Sequence, residues 1–316
     1  VANETQPQFQ PKRLIVAINP GSAAGGKKAV GPQVLKGLRE MGHDVTELQE
    51  ASYQELLDKA RAAIATNPDG FVVVGGDGMV NLGANMVAGT SVPLGIISAG
   101  TGNDTARSLG LPFDDTAASV AALGKALQHP PRIIDAAIMR FADPTTGEPT
   151  ERWFACALSA GFDASVNERA NRMKNPKGPS RYIIALVIEL AKLKPYHYTL
   201  TLDGKVTKTD ANMVSIGNGV SLGGGMLITP DAKLDDGLLD VLIVRPLSRI
   251  NFLRIFPSVF KGTHLKHPKV TIVQARTVRI EGDGVVITGD GESVGPAPVD
   301  VELVPGALRV LAPLPS

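Results

Sequence analysis

Three glycine-rich turns and one late acidic turn hold the residues best suited to chemistry. The first turn lies in LIVAINPGSAAGGKKAV, Leu14 to Val30, where an apolar run ends in glycines and then Lys27. Counted from Gly21, the spacing is G-x-x-x-x-G-K, close to a P-loop. A P-loop needs Ser or Thr next, because that hydroxyl holds Mg²⁺. Here the next residue is Lys28. The turn can face phosphate, but a metal has to be held elsewhere. The second turn, VVVGGDGMVN, sets Gly75, Gly76 and Gly78 around Asp77 between a strand and a helix. Backbone amides at a helix start can meet a phosphate, and glycines let it come close. The third, SAGTGNDTARSLG, places Thr101, Asn103 and Asp104 at the next helix mouth. One such acid is an ordinary cap. Two on successive turns of one sheet share an edge, and carboxylates repel phosphate unless a cation lies between. Mg²⁺ suits that place, since it binds through one or two carboxylates plus substrate phosphates. The late turn, TGDGESV, carries Asp290 and Glu292.

The elements that must position these turns can be read from the same chain. In the first third, a buried strand at Leu14–Ile18, a second strand at His43–Leu48, the β-branched run FVVVGGDG and a strand in VPLGIISAG alternate with helical segments. Ser52, with Glu55 three residues on, has the form of a capping box. Alternation with short glycine-rich joints predicts a parallel sheet covered on both faces, with ligands beyond the strands' C-terminal ends. After about Asp135 the rhythm becomes strand-like. YTLTLDGKVTK turns at Asp203-Gly204, a hairpin marker, and this half reads as antiparallel β with a helix pair near Ser180–Leu193 and Arg249–Phe260.

The net charge is +1 across 316 residues. That gives no whole-molecule field to attract nucleic acid. The single cysteine, Cys156, excludes an internal disulfide and reads as a small core residue in a reducing compartment. VANETQPQFQPKR reads as a disordered polar lead-in without a signal core. The most apolar helical segment, RYIIALVIELAKLK, is interrupted by Glu189 and is shorter than the ~20 residues a bilayer span needs. A soluble chain is therefore expected. Ile183, Ile184, Val187 and Leu190 share one face of that helix. Such a face more often packs on a sheet than binds lipid, and the alternative is a wall for an acyl chain. Lys261, Lys266 and Lys269 with His264 and His267 form a basic cluster that suits anionic head groups as well as it suits solvent.

GGDGMVN and GTGNDTARSLG, together with NPGSAAGG, PDAKLDDGLLDV and TGDGESV, resemble the diacylglycerol kinase catalytic family over almost the whole chain. The resemblance implies an α/β plus β fold: a Rossmann-like parallel-sheet nucleotide domain over 12–134, with the chain returning to it at about 303–316, and an antiparallel β-sandwich lipid domain over 135–302. It implies ATP contacts at Asn19, Pro20, Gly21, Ser22, Gly75, Gly76, Asp77, Gly78, Asn81, Thr101 and Asn103. Asp77, Asp104 and Asp135 are implied as ligands of a catalytic Mg²⁺. A structural Mg²⁺ is implied at the carbonyls of Lys233 and Leu238 and the carboxylate of Asp236. The base is implied to be Asp290 or Glu292, with Glu292 favoured and Asp290 orienting the Asp77 network. Met79 stands where the family has Thr, so a hydroxyl is expected to be missing near the phosphates. Leu82 and Ala23 are further departures. The expected activity is ATP- and Mg²⁺-dependent phosphorylation of diacylglycerol to phosphatidic acid or of a similar lipid alcohol. A sphingoid base, NAD, or nucleotide binding without turnover are the alternatives. A cytoplasmic protein touching the inner leaflet is expected, with room for a homodimer.

Overall fold

The computed structural model describes residues 9–19, 30–173, 175 and 180–313. Its first half runs β1 (Arg13–Ile18), α1 (Val30–Glu40), β2 (Asp44–Leu48), α2 (Tyr53–Ile64), β3 (Gly70–Gly75), α3 (Asp77–Val87), β4 (Leu94–Ser98), α4 (Asp104–Leu109), α5 (Thr116–Ala126) and β5 (Arg132–Ala142). Strands β2, β1, β3 and β4 pair in that order, all parallel. Alternate side chains of a strand point to opposite faces. Ile15, Ala17, Phe71 and Val73 therefore pack with Leu56, Ala60 and Val80 on one side. Leu14, Val16, Val72 and Val74 pack with Val34, Leu38 and Leu123 on the other. Burial on both faces explains why β1, β3 and β4 read as continuous apolar runs, whereas the edge strand β2 keeps Asp44 and Glu47 exposed. Ser52 caps α2, its Oγ accepting the Glu55 N–H at 3.2 Å, which is one half of the expected capping box.

The second half runs β6 (Pro149–Phe154), β7 (Ala157–Gly161), α6 (Phe162–Arg172), α7 (Ser180–Ala191), β8 (Tyr196–Leu202), β9 (Lys205–Ala211), β10 (Met213–Gly217), β11 (Leu239–Val244), α8 (Arg249–Val259), β12 (Val270–Ala275), β13 (Thr277–Glu281), β14 (Val286–Gly289), β15 (Glu292–Pro296) and β16 (Val299–Val310). Two antiparallel layers face each other. One is β12-β11-β10-β7-β14-β15. The other is β16-β13-β8-β9 with β5 and β6 attached to β16. Met139, Phe154, Leu158, Val214, Val241, Ile280 and Ile287 fill the space between them. The expected turn at Asp203-Gly204 joins β8 to β9, with both residues at positive φ. Strand β16 spans both halves. Its start pairs with β5 and β13, the register shifts between Val304 and Leu308, and Val310 lies parallel against Leu94 of β4.

Three sequence expectations need correction. The second half holds a third full helix, α6, beside the expected pair. It starts directly at Gly161, whose φ of +100° turns the chain out of β7 without a loop, so no linker announces it. A Cβ at Gly161 would come within 2.2 Å of the Tyr198 hydroxyl, so glycine is required there. The lead-in is not wholly free: the Phe9 ring packs 5.2 Å from the His43 ring. On α7, Ile183 and Val187 are 63% and 60% exposed, and Ile184 is exposed too. Only Leu190 of the expected core face is buried, because α7 lies on α6 rather than on a sheet.

Candidate active site

The second and third glycine-rich turns pack backbone to backbone at the ends of β3 and β4. A Cβ on Gly100 would stand 2.5 Å from the Gly76 Cα, and one on Gly102 would stand 2.3 Å from Asp77 Oδ2. Side chains at either position would push the turns apart. Closeness lets Asp77, in the first turn of α3, reach across. Its Oδ2 accepts the Asn103 N–H and its Oδ1 the Asp104 N–H, both at 2.9 Å. Asn103, at φ +56°, closes the turn by exchanging hydrogen bonds with Gly100.

Asp104 is buried and points into the second half of the chain. Its Oδ1 accepts from Ser221 Oγ at 3.0 Å and from the Gly225 N–H at 2.9 Å, and its Oδ2 from the Gly224 N–H at 2.9 Å. Gly223, Gly224 and Gly225 all have positive φ, a conformation glycine adopts at little cost. Asp290 and Gly291 form the tight turn between β14 and β15, both at positive φ. The Asp290 carboxylate is buried and accepts three backbone N–H groups, from Ala155, Cys156 and Ala157, at 2.9–3.1 Å. Asn81 donates to it as well. Glu292, two residues on, is exposed instead, with Oε1 3.3 Å from where a Cβ of Gly78 would stand. The two late acids thus differ: Asp290 anchors the turn, and Glu292 stands free at the rim.

Asp77, Gly78, Thr101, Asp104, Asp290 and Glu292 line one cavity of about 740 Å³. The cavity continues between α6, α7, α8 and the outer face of the β12–β15 layer, walled by Phe162, Leu186, Met226, Leu242, Phe252 and Phe256. Burial, and then the Asp104 charge, push the Asp77 carboxyl above the usual carboxylate range; the amides of Asp104 and Asn103 pull it back. Burial also pushes Asp290 up against the pull of its three amides. Burial raises the Cys156 thiol strongly; its Sγ lies 3.0 Å from the Ser221 carbonyl oxygen, which accepts from it, so it is the small core residue expected.

An all-oxygen donor set with crowded charge fits a hard divalent cation. A carboxylate offers about four lone-pair sites. Asp77 has spent two on amides, whereas Asp104 has spent two on amides and one on the Ser221 hydroxyl. Asp77 therefore keeps more open acceptor positions for a cation than Asp104 does. Among the described residues, no three His, Cys, Asp or Glu side chains form a ready-made metal cage.

Other expected residues fall elsewhere. Pro20, Gly21 and Ser22 lie outside the described residues. Asn19 adjoins Gly75 at the end of β1, its N–H donating to the Val74 carbonyl. Asp135 does not join the cavity. Its carboxylate accepts the Gly237 and Gly306 N–H groups, each at 2.8 Å, and so ties the Asp-Gly loop to β16. In that loop Asp236 is exposed and accepts the Leu238 N–H, beside an exposed Lys233. Asp236 and Asp231 both raise the pKa of Asp240, after burial, so acids gather there too. Met79 and Leu82 are core residues, with Met79 packed against Gly75. His264 is buried with Nε2 3.2 Å from the Ile228 carbonyl, which removes it from the basic surface cluster. Sequence reasoning missed the Ser221–Gly225 loop that holds Asp104. The run of three glycines was its available signal.

The Diacylglycerol kinase catalytic domain model matches residues 13–136, and the YegS C-terminal NAD kinase beta sandwich-like domain model matches residues 156–312. A diacylglycerol kinase of Mycobacterium tuberculosis is 39% identical over 302 residues, 95% of each chain. One from Staphylococcus aureus is 27% identical over 306 residues, 96% of this chain and 93% of that one. A crystal structure of a diacylglycerol kinase from Bacillus anthracis matches with a TM-score of 0.70 at 20% identity, over 97% and 98% of the two chains. Yeast NADH kinase complexed with NADH matches with a TM-score of 0.53 at 11% identity, over 95% and 83%; both structures bear on the fold alone. With 39% identity along nearly its full length, the chain belongs to the diacylglycerol kinase family and is a kinase, a phosphotransferase.

Proposed function

We propose that the chain transfers the γ-phosphoryl group of ATP to the hydroxyl of diacylglycerol, giving phosphatidic acid. One observation carries this reading: the acid-lined turns and an apolar chamber are two ends of a single cavity. A polar acceptor such as NAD has no use for walls of Phe162, Phe252 and Phe256, whereas acyl chains do.

In this reading residues 12–134 and the return at about 303–316 hold ATP, and 135–302 hold the acceptor. Gly76, Gly78 and Thr101 leave room for phosphates to approach the backbone. Asp77, with Asp104 behind it, would hold a Mg²⁺ ion, which would supply charge neutralisation at the phosphates. Glu292 accepts the hydroxyl proton as the acceptor oxygen bonds to the γ-phosphorus and the bond to ADP breaks. Asp290 fixes the Glu292 turn through its three amides. A structural cation at Lys233, Asp236 and Leu238 would stiffen the loop that Asp135 anchors.

The acceptor reaches the cavity from an anionic bilayer. Val187 on α7 and Ile250 and Leu253 on α8 are 53–63% exposed near its apolar end. Residues 241–280 contain no acid and eight Lys or Arg, and Arg249, Arg254, Lys261, Lys266 and Lys269 are exposed. Apolar contact plus basic residues is the composition that suits such a surface. Among the described residues no helix is long and apolar enough to cross a membrane.

The test is ATP turnover with diacylglycerol, a sphingoid base and NAD in parallel, each with and without Mg²⁺. Turnover with diacylglycerol alone supports the reading. Turnover only with NAD overturns the acceptor, and nucleotide binding without turnover on any of them overturns the activity.

A further inference from the structure

The helix that walls the apolar chamber also holds the turn that carries Glu292. Two stripes run along α6, each with residues four apart, and such residues lie on one helix face. Phe162, Val166 and Ala170 form the apolar stripe; all are buried, and the first two line the cavity. Asp163, Asn167 and Asn171 form the polar stripe, and all three line the cavity. Asp163 Oδ2 accepts from Ser159 Oγ of β7 at 2.6 Å, which fastens the start of the stripe to the sheet. Asn167 Nδ2 donates to the Gly291 carbonyl oxygen at 2.8 Å, and Asn171 Nδ2 reaches the same oxygen at 3.4 Å. A carbonyl oxygen only accepts, so each amide turns its nitrogen to the turn. That oxygen belongs to the peptide plane that ends at the Glu292 nitrogen, so fixing one fixes the other. Gly291, at φ +82°, has no side chain to hold that plane itself. Pairing of Glu292 with Gly289 of β14 holds the plane from the sheet side, and Asn167 holds it from the side of the chamber.

Resting on the reading of Glu292 as the proton acceptor, we propose that Asn167, seconded by Asn171, is a positioning residue that fixes the Glu292 turn to the wall of the acceptor chamber. Glu292 stands exposed at the rim, so the backbone beneath it sets its aim. One helix then places both reacting groups. Phe162 and Val166 bear on the chains of the acceptor, and Asn167, the next residue, bears on the base. Acceptor hydroxyl and carboxylate share a frame, which is what alignment of a proton transfer requires. Misplacement by about 1 Å can cost ~10²-fold in rate. Asn167 itself touches neither phosphate nor acceptor hydroxyl in this arrangement, and its whole effect passes through Glu292.

The experiment is a double-mutant cycle on the full-length protein, with 1,2-dioctanoylglycerol in mixed micelles. Asn167→Ala should lower kcat by ~10–10²-fold, with KM for lipid and for ATP each within about threefold of wild type. In a Glu292→Gln background the same change should cost less than about threefold more, because residues that act as a unit are not additive. Asn167→Asp keeps the shape and loses the donor, so it should be as slow as Asn167→Ala at neutral pH. Its kcat relative to wild type should climb as pH falls, since a protonated carboxyl regains an O–H donor, while that of Asn167→Ala stays level. If Asn167→Ala does not fold, the isosteric Asn167→Asp closes the same cycle. Additive losses in the cycle overturn the proposal. So does a loss carried by KM instead of kcat, or a level pH ratio for Asn167→Asp. Near-normal turnover in Glu292→Gln sinks the base reading, and wild type without turnover on the lipid sinks the acceptor reading; the proposal falls with either.

Discussion

The two ends of the cavity are built by different physics. At the acid end, five segments distant in sequence meet through hydrogen bonds from backbone amides to carboxylates: Asp77 to 103–104, Asp104 to 224–225, Asp290 to 155–157. Glycines let the turns touch, and there is no slack for a Cβ at Gly100 or Gly102. At the apolar end, Phe162, Phe252 and Leu242 close a chamber by side-chain packing alone. Packing is non-directional and forgiving of volume-conserving change. Amide-to-carboxylate geometry is directional and fails at a single atom. In the proposed function, chemistry therefore depends on the first end and acceptor choice on the second.

The sharpest way to break this contrast is Asp77→Ala, which removes both amide contacts and the proposed metal anchor. Transfer should fall by more than ~10³-fold, read as ATP-dependent phosphorylation, and activity within tenfold of wild type would remove Asp77 from the site. Glu292→Gln should leave nucleotide affinity nearly intact while kcat falls ~10²–10⁴-fold; near-normal turnover would leave the proton without an acceptor. Gly102→Ala presses a methyl on Asp77 and should cost ~10–10²-fold in kcat with little change in acceptor KM. If instead KM alone moved, the two ends would not be separable. At the apolar end, the double change Val187→Asp, Leu253→Asp lies outside the cavity wall. It should abolish co-sedimentation with anionic vesicles, with a stability change within about 0.5 kcal/mol, as for exposed sites. Unaltered vesicle binding would move the docking face elsewhere. The smallest effect is on pH. Asp77, Asp163 and Asp290 have folded pKa values raised by burial. Their contribution to stability is full below the unfolded carboxylate pKa and is lost as pH rises through the folded values. The melting temperature in chelator should therefore fall from mildly acidic to neutral pH, and added Mg²⁺ should recover more at the neutral end. A melting temperature that rises over that interval would contradict the direction of these shifts.

Much of the first half was legible because burial on both faces writes continuous apolar strands, and the Gly-rich turns sit where those strands end. The Asp290-Gly291 and Asp203-Gly204 turns were legible because positive φ favours Asp-Gly. Helix α6 was not, since its polar face hides four buried residues, Phe162, Ala164, Val166 and Ala170, behind a strand that runs straight into it. The fate of Ile183 and Val187 was not either: a hydrophobic stripe specifies that something apolar covers it, and not what. Asp135 and Asp290 look alike in sequence as acids beside strands. One ties a loop to β16, and the other lines the cavity.

The sequence by itself determined the family, the class of reaction and the acids that could serve it, because glycine spacing and carboxylates leave a local trace. Only the tertiary structure decided which acids share a cavity, which are spent on amides, and that the cavity ends in a greasy chamber beside Asp163. Those facts depend on contacts between residues from 26 to 135 positions apart, and such contacts leave no local pattern to read.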